Sequence, residues 1–583
     1  MKTIKHQADF CVIGGGLAGM CAAIQAARHG IKTILMHERP VLGGNASSEI
    51  RMWICGAAGW VETGLVEEIR LENLYRNNYP NYSVWDSILY EKVKFQDNLT
   101  CLLNCSCQDA VMDGSRIKSV KGWQMTTQTF HEVEAKYFAD CSGDSILAPL
   151  TGAQFRLGRE PRSEFNESLA HETGDKQTMG MSCLLQARET DSPQKFIPPK
   201  WAKKYPDDSS FPERHHMFTP WQNFWWLELG GDQDSIGDTE ELRDELIKTA
   251  FGLWDHIKNH GDHGADNWVL DWVGFLPGKR ESRRYVGDYI INENDVLSGG
   301  KFDDTIAYGG WPIDDHHPGG FKHFGPPNTN IVPKQPYGIP IRSIYSVNID
   351  NLLFAGRNIS ASHTALSSSR VMATCALLGQ AVGALVCFAD RDGATPRDAA
   401  KKHIREIQAM LMDDDCYLPG FKRPVSALCA TAGLSATSGD PEPLRSGTDR
   451  DIDGEVNAWE GGVGDSVEYD FGKETSFHEI RIAFDSDLKR RPHNMVANYF
   501  AEAVRYEPPR TLVKEFHIEA DGREIFRETD NYQRFVRVNV PASASKVRLV
   551  IDGVYGEGRK KVFAFEVKLE NRGCEEPVPL QPL

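Results

Sequence analysis

Gly14, Gly16 and Gly19 stand at G-x-G-x-x-G spacing, between the apolar run ADFCVI and the helix-forming stretch LAGMCAAIQAARHG. A second apolar run, IKTILMHER, follows and ends near Glu38. Strand, tight turn, helix, strand is the context in which three such glycines bind a dinucleotide: the first permits the turn, the second lets a pyrophosphate approach the backbone, and the third lets the helix pack on the sheet. The helix amino end then offers unpaired N–H groups to the phosphates. A carboxylate at Glu38 suits the hydroxyls of an adenosine ribose and repels a 2′-phosphate, so FAD or NAD is expected rather than NADP.

The next residues, Arg39-Pro40-Val41-Leu42-Gly43-Gly44-Asn45, supply a glycine pair and small polar neighbours. They can wrap a further stretch of phosphate and ribityl chain, which an ordinary NAD domain does not need. Much later, NLLFAGRNISASHTALSSSRVMATCALLGQAVGALV reads as a buried strand, a tight exit at Gly356-Arg357, and a long helix from about Ser367. Ala373, Ala376, Gly379 and Gly383 give that helix a smooth face suited to close packing.

On these stretches, together with KYFADCSGDSILAPLTGAQFRLGRE, GKRESRRYVGDYIINENDV and YGIPIRSIYSVNID, the chain resembles the FAD-dependent oxidoreductases of the glutathione-reductase-like flavoprotein superfamily, in the branch that includes proteins labelled xanthan lyase-related. The resemblance spans roughly residues 8–390. It implies FAD; no attachment pattern is visible in the sequence, so the flavin is expected to be held noncovalently. Gly14, Gly16 and Gly19 would form the pyrophosphate loop, Glu38 the ribose acceptor, and Arg39, Gly43, Gly44 and Asn45 the contact on the phosphate or flavin side. Asp140 and Gly143 would form the crossing near the adenine half, and Gly356 and Arg357 the second flavin turn. The helix beginning near Ser367 would point its positive end at the flavin, where it favours negative charge.

Alcohol oxidation also needs an acceptor for the hydroxyl proton. His363, in the loop NISASHTALSSS, is the candidate base, with an ordinary pKa near 6.5 suited to neutral pH; the alternative is a histidine hydrogen-bonded into the loop that shapes the pocket. Arg280 and Arg283 follow Gly278 and would orient a carboxylate or polyhydroxylated substrate, or pair with Glu281, Asp288 and Glu293. The aromatic segments WQNFWWLELGG and DNWVLDWVGFLPG, bordered by Asp and Asn, suit sugar rings, although most of their tryptophans individually read as core.

The expected reaction is therefore oxidation of a CH–OH group of a sugar or polyol by hydride transfer to flavin N5, with an unidentified electron acceptor. Alternatives are fumarate-reductase-like alkene reduction, a flavin-assisted redox-neutral elimination or isomerisation, and a glycan-binding protein with a structural flavin. No metal is expected. His256, His260 and His263 have helical spacing, but Gly261 and Gly264 interrupt it, and an exposed polar turn is the reading.

The elements that must carry these residues follow from the bulk of the chain. Its 583 residues exceed one ordinary core, since about 150 residues per unit gives roughly four. A net charge of −17 argues against nucleic acid as a partner. Thirteen cysteines, several in apolar runs, suit reducing surroundings and a cytoplasmic location. The stretch 371–389 reads as a buried helix of a soluble core, not a membrane span. A homo-oligomer is compatible with all of this.

The expected fold is α/β: a Rossmann-like FAD-binding domain (residues 1–175 and 336–395) with an inserted α+β substrate domain (176–335). A helical, turn-rich connector (396–455) and a C-terminal antiparallel β-sandwich (456–583) follow. The sandwich rests on period-two runs such as FHEIRIAFDS and QRFVRVNV. Its expected role leans toward bracing the enzyme.

Overall fold

A computed structural model describes residues 2–211, 213–216, 219, 222–452, 454–495 and 506–569. The remaining positions, including 570–583 of the expected sandwich, lie outside the described residues.

The chain opens with β1 (Lys2–Ile13), α1 (Leu17–Arg28) and β2 (Thr33–Met36). β3 (Leu99–Leu102) extends the same sheet, and β4 (Cys105–Asp113), β5 (Arg116–Gln124) and β6 (Thr129–Asp140) run on as an antiparallel meander. The run CLLNCSC, which reads as one strand in sequence, is divided between β3 and β4. β6 serves two neighbours along one edge. Its first half pairs with β5, and its last residues pair in parallel with the strand Leu352–Phe354. Along its other edge it runs parallel to β1 from Lys2↔Thr129 to Ile13↔Asp140. The segment after residue 350 is thereby returned to the centre of the first sheet, beside the opening turn.

The helix Met372–Asp392 crosses α1 at close range. A Cβ on Gly379 would lie 2.0 Å from the Ala18 carbonyl oxygen, and one on Gly383 2.6 Å from that of Ala22, so the two glycines set the helix–helix distance. Its length and apolarity would suffice for a membrane span, but its surface is taken up by this packing. Where the sequence reads as one helix from Ser367, the structure has two, His363–Ser369 and Met372–Asp392, with the break at Arg370–Val371. The residues from Val61 to Arg76 suit a helix in sequence, but the helix begins only at Leu65, after Gly64, and a second helix, Tyr82–Lys94, follows Asn81, whose side chain accepts from Ser83 N at 2.8 Å.

Residues 178–340 build short sheets over the cavity. Met181–Ser182 pairs with Glu228–Leu229 and Gly278–Lys279, Leu185–Glu189 with Trp268–Val273, and Ile313–His316 with Asn328–Ile331. Trp226 and Trp254, the latter on the helix Thr239–Asn259, are buried in a separate core there.

Toward the C-terminus, seven strands form one antiparallel network in which Ser466–Phe484 and Phe535–Val554 are the long members. Each joins two runs that read as separate strands in sequence, and register shifts near Asp470–Thr475 and Phe477–Glu479 mark the joins. The arrangement is compatible with the expected sandwich. It does not stand alone: Arg481 and Arg534, both buried, and the half-buried Arg537 meet Asp413, Asp414 and Asp415 at the end of the helix Pro396–Asp413. Arg490 pairs with Glu67 at 2.7 Å, and Asn494 Oδ1 accepts from Ile54 N at 2.7 Å. Breaking one such buried pair by removing a partner costs roughly 3–5 kcal/mol, so the sheet braces the α/β part.

Candidate functional site

β1 ends at Ile13 and α1 begins at Leu17, leaving Gly14–Gly16 as the turn. Gly14 has φ +102°, and a Cβ there would lie 2.5 Å from the Cys141 carbonyl. A Cβ on Gly19 would lie 1.8 Å from the Gly14 oxygen. These two glycines are required by the chain's own packing. Gly16 is different. The nearest atom to its missing Cβ is Gly44 Cα, at 3.9 Å, so the space beside it faces a cavity. Gly43 N donates to Gly15 O at 2.8 Å, and Gly16 and Gly43 form a parallel bridge. The two glycine segments thus make one lip, with Glu38, Arg39 and Asn45 along it. His37 Nδ1 accepts from Gly15 N at 2.9 Å, which holds the turn from behind.

The cavity is about 530 Å³. Gly14, Gly16, Gly44, Gly143, Gly356 and Arg357 line the same space, although more than 300 positions separate its first and last members in the chain. Arg357 donates to Asp144 at 2.6 Å, and Lys279 to the same carboxylate at 2.8 Å. Burial alone would raise the Asp144 pKa, but these two cations outweigh it and bring it to about 2. Arg357 Nε is buried and has no hydrogen-bond partner among the described residues. Two helices begin at the cavity, α1 with Leu17-Ala18-Gly19 and the later helix with Met372-Ala373-Thr374.

Four sequence expectations are corrected by this geometry. Ser367 is buried inside the helix His363–Ser369 and donates to Thr364 O at 2.6 Å; the helix start that faces the cavity belongs to Val371 and Met372. Asp140 lies behind the wall. Its carboxylate accepts from Ser142 N, Ser142 Oγ, Leu147 N and Tyr285 Oη at 2.6–3.0 Å and so shapes the turn that carries Gly143. Arg283 stacks over Phe155 at 5.5 Å, away from the cavity lining.

His363 is the fourth. Its Nδ1 meets Glu281 at 2.8 Å and its Nε2 meets Asp315 at 3.0 Å, and the residue is only 4% exposed. Burial would lower its pKa, but the two carboxylates prevail and raise it to about 10. An imidazolium with both nitrogens engaged takes no proton at neutral pH, so the loop-shaping alternative is the one the geometry fits.

Arg280 does line the cavity, donating to Ser182 Oγ and the Trp225 carbonyl, both at 2.9 Å, and lying 3.4 Å from Glu228. Around it stands a group that sequence reasoning left unassigned. His316 Nδ1 meets Glu228 at 2.5 Å, and His316 Nε2 lies 3.3 Å from Asp314. Asp314 is held by Arg370 at 3.0 Å, by Trp311 Nε1 at 3.4 Å, and by Asn328. Burial disfavours the ionised forms of Asp314 and Glu228, but His316 with Arg370, and Arg280 with His316, hold both carboxyls below their ordinary range.

The signal was present in Ile313-Asp314-Asp315-His316: on a strand, alternate residues face opposite ways. Asp314 and His316 line the cavity, and Asp315 reaches His363 behind it. Trp53, Trp225 and Trp311 complete the lining, together with His493 from the C-terminal part of the chain. Burial, with Arg70 nearby, lowers the His493 pKa to about 4, so that ring is neutral.

Comparison with known proteins accords with this arrangement. A family model described as FAD dependent oxidoreductase matches residues 9–411, well over half of the chain. The chain belongs to that family: it is an FAD-dependent oxidoreductase, and its cofactor is FAD.

No curated protein matches the sequence. Similar solved structures include a geranylgeranyl bacteriochlorophyll reductase-like protein from Thermoplasma acidophilum, at 13% identity over 70% of this chain and 86% of that one, with a TM-score of 0.31. Another is p-nitrophenol 4-monooxygenase from Pseudomonas putida, at 9% identity over 71% and 87%, TM-score 0.31. A third is the family 32 carbohydrate-binding module of Streptococcus pneumoniae EndoD, at 14% identity over 25% of this chain and 100% of that one, TM-score 0.20.

The residues present fit FAD. The open side of Gly16, the helix start behind it and the unpartnered Arg357 Nε suit a diphosphate, and Glu38 at the end of the lip is placed for a ribose.

Proposed function

We propose that the enzyme oxidises a CH–OH group of a sugar or polyol. The observation that carries this reading is the continuity of one cavity from the Gly14–Gly44 lip to a wall of Trp53, Trp225, Trp311, Asn328, Asn330, His316 and Arg280. Aromatic faces take the apolar side of a sugar ring, and the amides and charged groups take its hydroxyls.

When bound, FAD supplies a two-electron acceptor for the C–H bond. The chain supplies the rest. Gly14, Gly16, Gly43, Gly44, Asn45, Gly143 and Arg357 would hold the cofactor, with Glu38 and Arg39 at its nucleotide end. Arg280 and Arg370 orient the substrate oxygens. His316 accepts the hydroxyl proton at Nε2 once the substrate hydroxyl displaces the 3.3 Å contact of that nitrogen with Asp314, with Nδ1–H donating to Glu228. Asp314 and the two arginines balance the charge that forms there.

Anaerobic mixing of the FAD-loaded protein with a panel of sugars, glycosides and polyols tests this directly. Loss of the visible flavin absorption with at least one of them is expected, and an unchanged spectrum with all of them refutes the substrate class. Arg280 and the unpartnered Arg370 Nε also favour a second reading, carboxylate binding in alkene reduction. In that case the reduced protein would be reoxidised by an unsaturated carboxylic acid, with one saturated product formed per flavin.

A further inference from the structure

On the far side of the substrate wall, the helix Thr239–Asn259 ends beside a loop that carries Asp208 and His216. Gly261, with φ +105°, and Gly264, with φ +67°, reverse the chain just after that helix. In sequence these glycines break the helical histidine spacing. In the structure they make the turn that folds His263 back onto His256. A Cβ on Gly261 would lie 2.9 Å from His263 Nε2, so the glycine leaves room for that nitrogen.

Four side chains converge here. Asp208 Oδ1 lies 3.1 Å from His256 Nε2, 3.3 Å from His216 Nε2 and 3.7 Å from His263 Nε2, and the two nitrogens of His256 and His263 face each other at 3.1 Å. All four atoms fall within 4.8 Å of one another. Tetrahedral zinc with bonds of about 2.0–2.1 Å places its ligand atoms roughly 3.3 Å apart.

The orientation of His256 is set from outside the group. Its Nδ1 lies 3.0 Å from the Tyr205 carbonyl oxygen, and a donated N–H there leaves the Nε2 lone pair aimed at the other three, the arrangement that metal-bound histidines use. The ring of Phe211 covers one side, with centroids 4.9 Å from His256 and 5.6 Å from His216. His256 is fully buried, whereas the Asp208 side chain is 69% exposed, which gives an ion access. The expected exposed polar turn is corrected for His256, which is buried.

We propose that Asp208, His216, His256 and His263 form a structural site for a divalent transition-metal ion of the zinc type. Three imidazoles and one carboxylate match zinc in ligand type and number. The ion would clamp Asp208 and His216, with the segments that carry them, to the end of the helix. The same loop carries Arg214, whose guanidinium donates to the carbonyls of Gly320 and Gly325, next to the hairpin that presents His316. The site thus braces the substrate wall from behind and takes no part in the chemistry.

The test uses the full-length, FAD-loaded protein, dialysed against chelator and then loaded with Zn²⁺ or Co²⁺. One tightly held Zn²⁺ per chain by elemental analysis is expected, with a rise in Tm on Zn²⁺ addition and, for Co²⁺, tetrahedral d–d absorption to the red of the flavin bands. Asp208→Ala removes an exposed ligand and should fold. It and His263→Ala should weaken Zn²⁺ binding by more than the roughly 10–100-fold that loss of an outer-shell partner costs, whereas His260→Ala, outside the group, should bind as wild type. Zn²⁺ no higher than in the His263→Ala variant, or a Tm indifferent to Zn²⁺, overturns the proposal. FAD content is read separately, so failure here leaves the flavin assignment untouched.

Discussion

His316 and His363 each sit between two carboxylates, yet the two environments prepare them for opposite tasks. Around His316, Glu228 is faced by Arg280 and Asp314 by Arg370, so the carboxylates are already balanced and the ring borders the cavity. Around His363, Arg284 lies 3.4 Å from Glu281, but Asp315 takes its nearest cation from His363 itself. That histidine is a buried counter-ion. The comparison shows that flanking carboxylates do not make a base; what matters is whether other cations neutralise them and whether a nitrogen faces substrate.

The largest effect that would break or support this contrast is on turnover. His316→Gln is expected to slow flavin reduction by about 10²–10⁴-fold, the usual range for a lost proton acceptor, with FAD content unchanged. A rate within a few-fold of wild type would remove His316 from the chemistry. His363→Ala should act on stability instead. It leaves Glu281 and Asp315 without their shared cation, which costs roughly 3–5 kcal/mol, measurable by urea unfolding, while the folded fraction keeps its rate.

The pH dependence of that loss has a fixed sign. The folded-state pKa of His363 is raised from 6.5 to about 10. Its stabilisation is therefore complete below about 6.5, declines above it, and is lost as pH rises through about 10. The Tm gap between wild type and His363→Gln should be widest at about pH 6 and close toward pH 10; a gap that widens with pH would contradict the ion pairing. The smallest effects come from two adjacent residues. Asp314→Asn should slow flavin reduction about tenfold, equivalent to about 1.4 kcal/mol, and, because Arg370 loses its carboxylate, lower stability by about 1–3 kcal/mol. Asp315→Asn should lower stability by about 1–3 kcal/mol with the rate preserved. Equal behaviour of the two variants would show that the strand's two faces are not functionally distinct.

The nucleotide end of the site was legible because its physics is local. Gly14, Gly16 and Gly19 act within one strand–turn–helix unit, and Gly43 follows within one more turn, so spacing along the chain carries most of the geometry. The small-residue face of the helix Met372–Asp392 could be read the same way, since helix periodicity is itself a local property.

At the other end of the cavity only Arg280 was legible. Arg280, Glu228, Asp314, His316 and Arg370 come from different short strands and helix ends, and nothing along the sequence states that they meet. The helix break at Arg370–Val371 was hidden for a related reason: the residues suit a helix, and Val371 is turned out of it beside Trp53 and Cys55.

By itself, the sequence determined a dinucleotide fold, its glycine turn, the acidic residue that follows its second strand and a strand-rich C-terminal part, because hydrophobic period and glycine spacing are short-range signals. Only the tertiary structure decided which histidine faces the cavity, which start of a helix points at the cofactor site, and that glycines which interrupt a helix gather three imidazoles around one carboxylate. Those outcomes depend on burial and on charges brought together from distant segments, and both quantities exist only once the chain has folded.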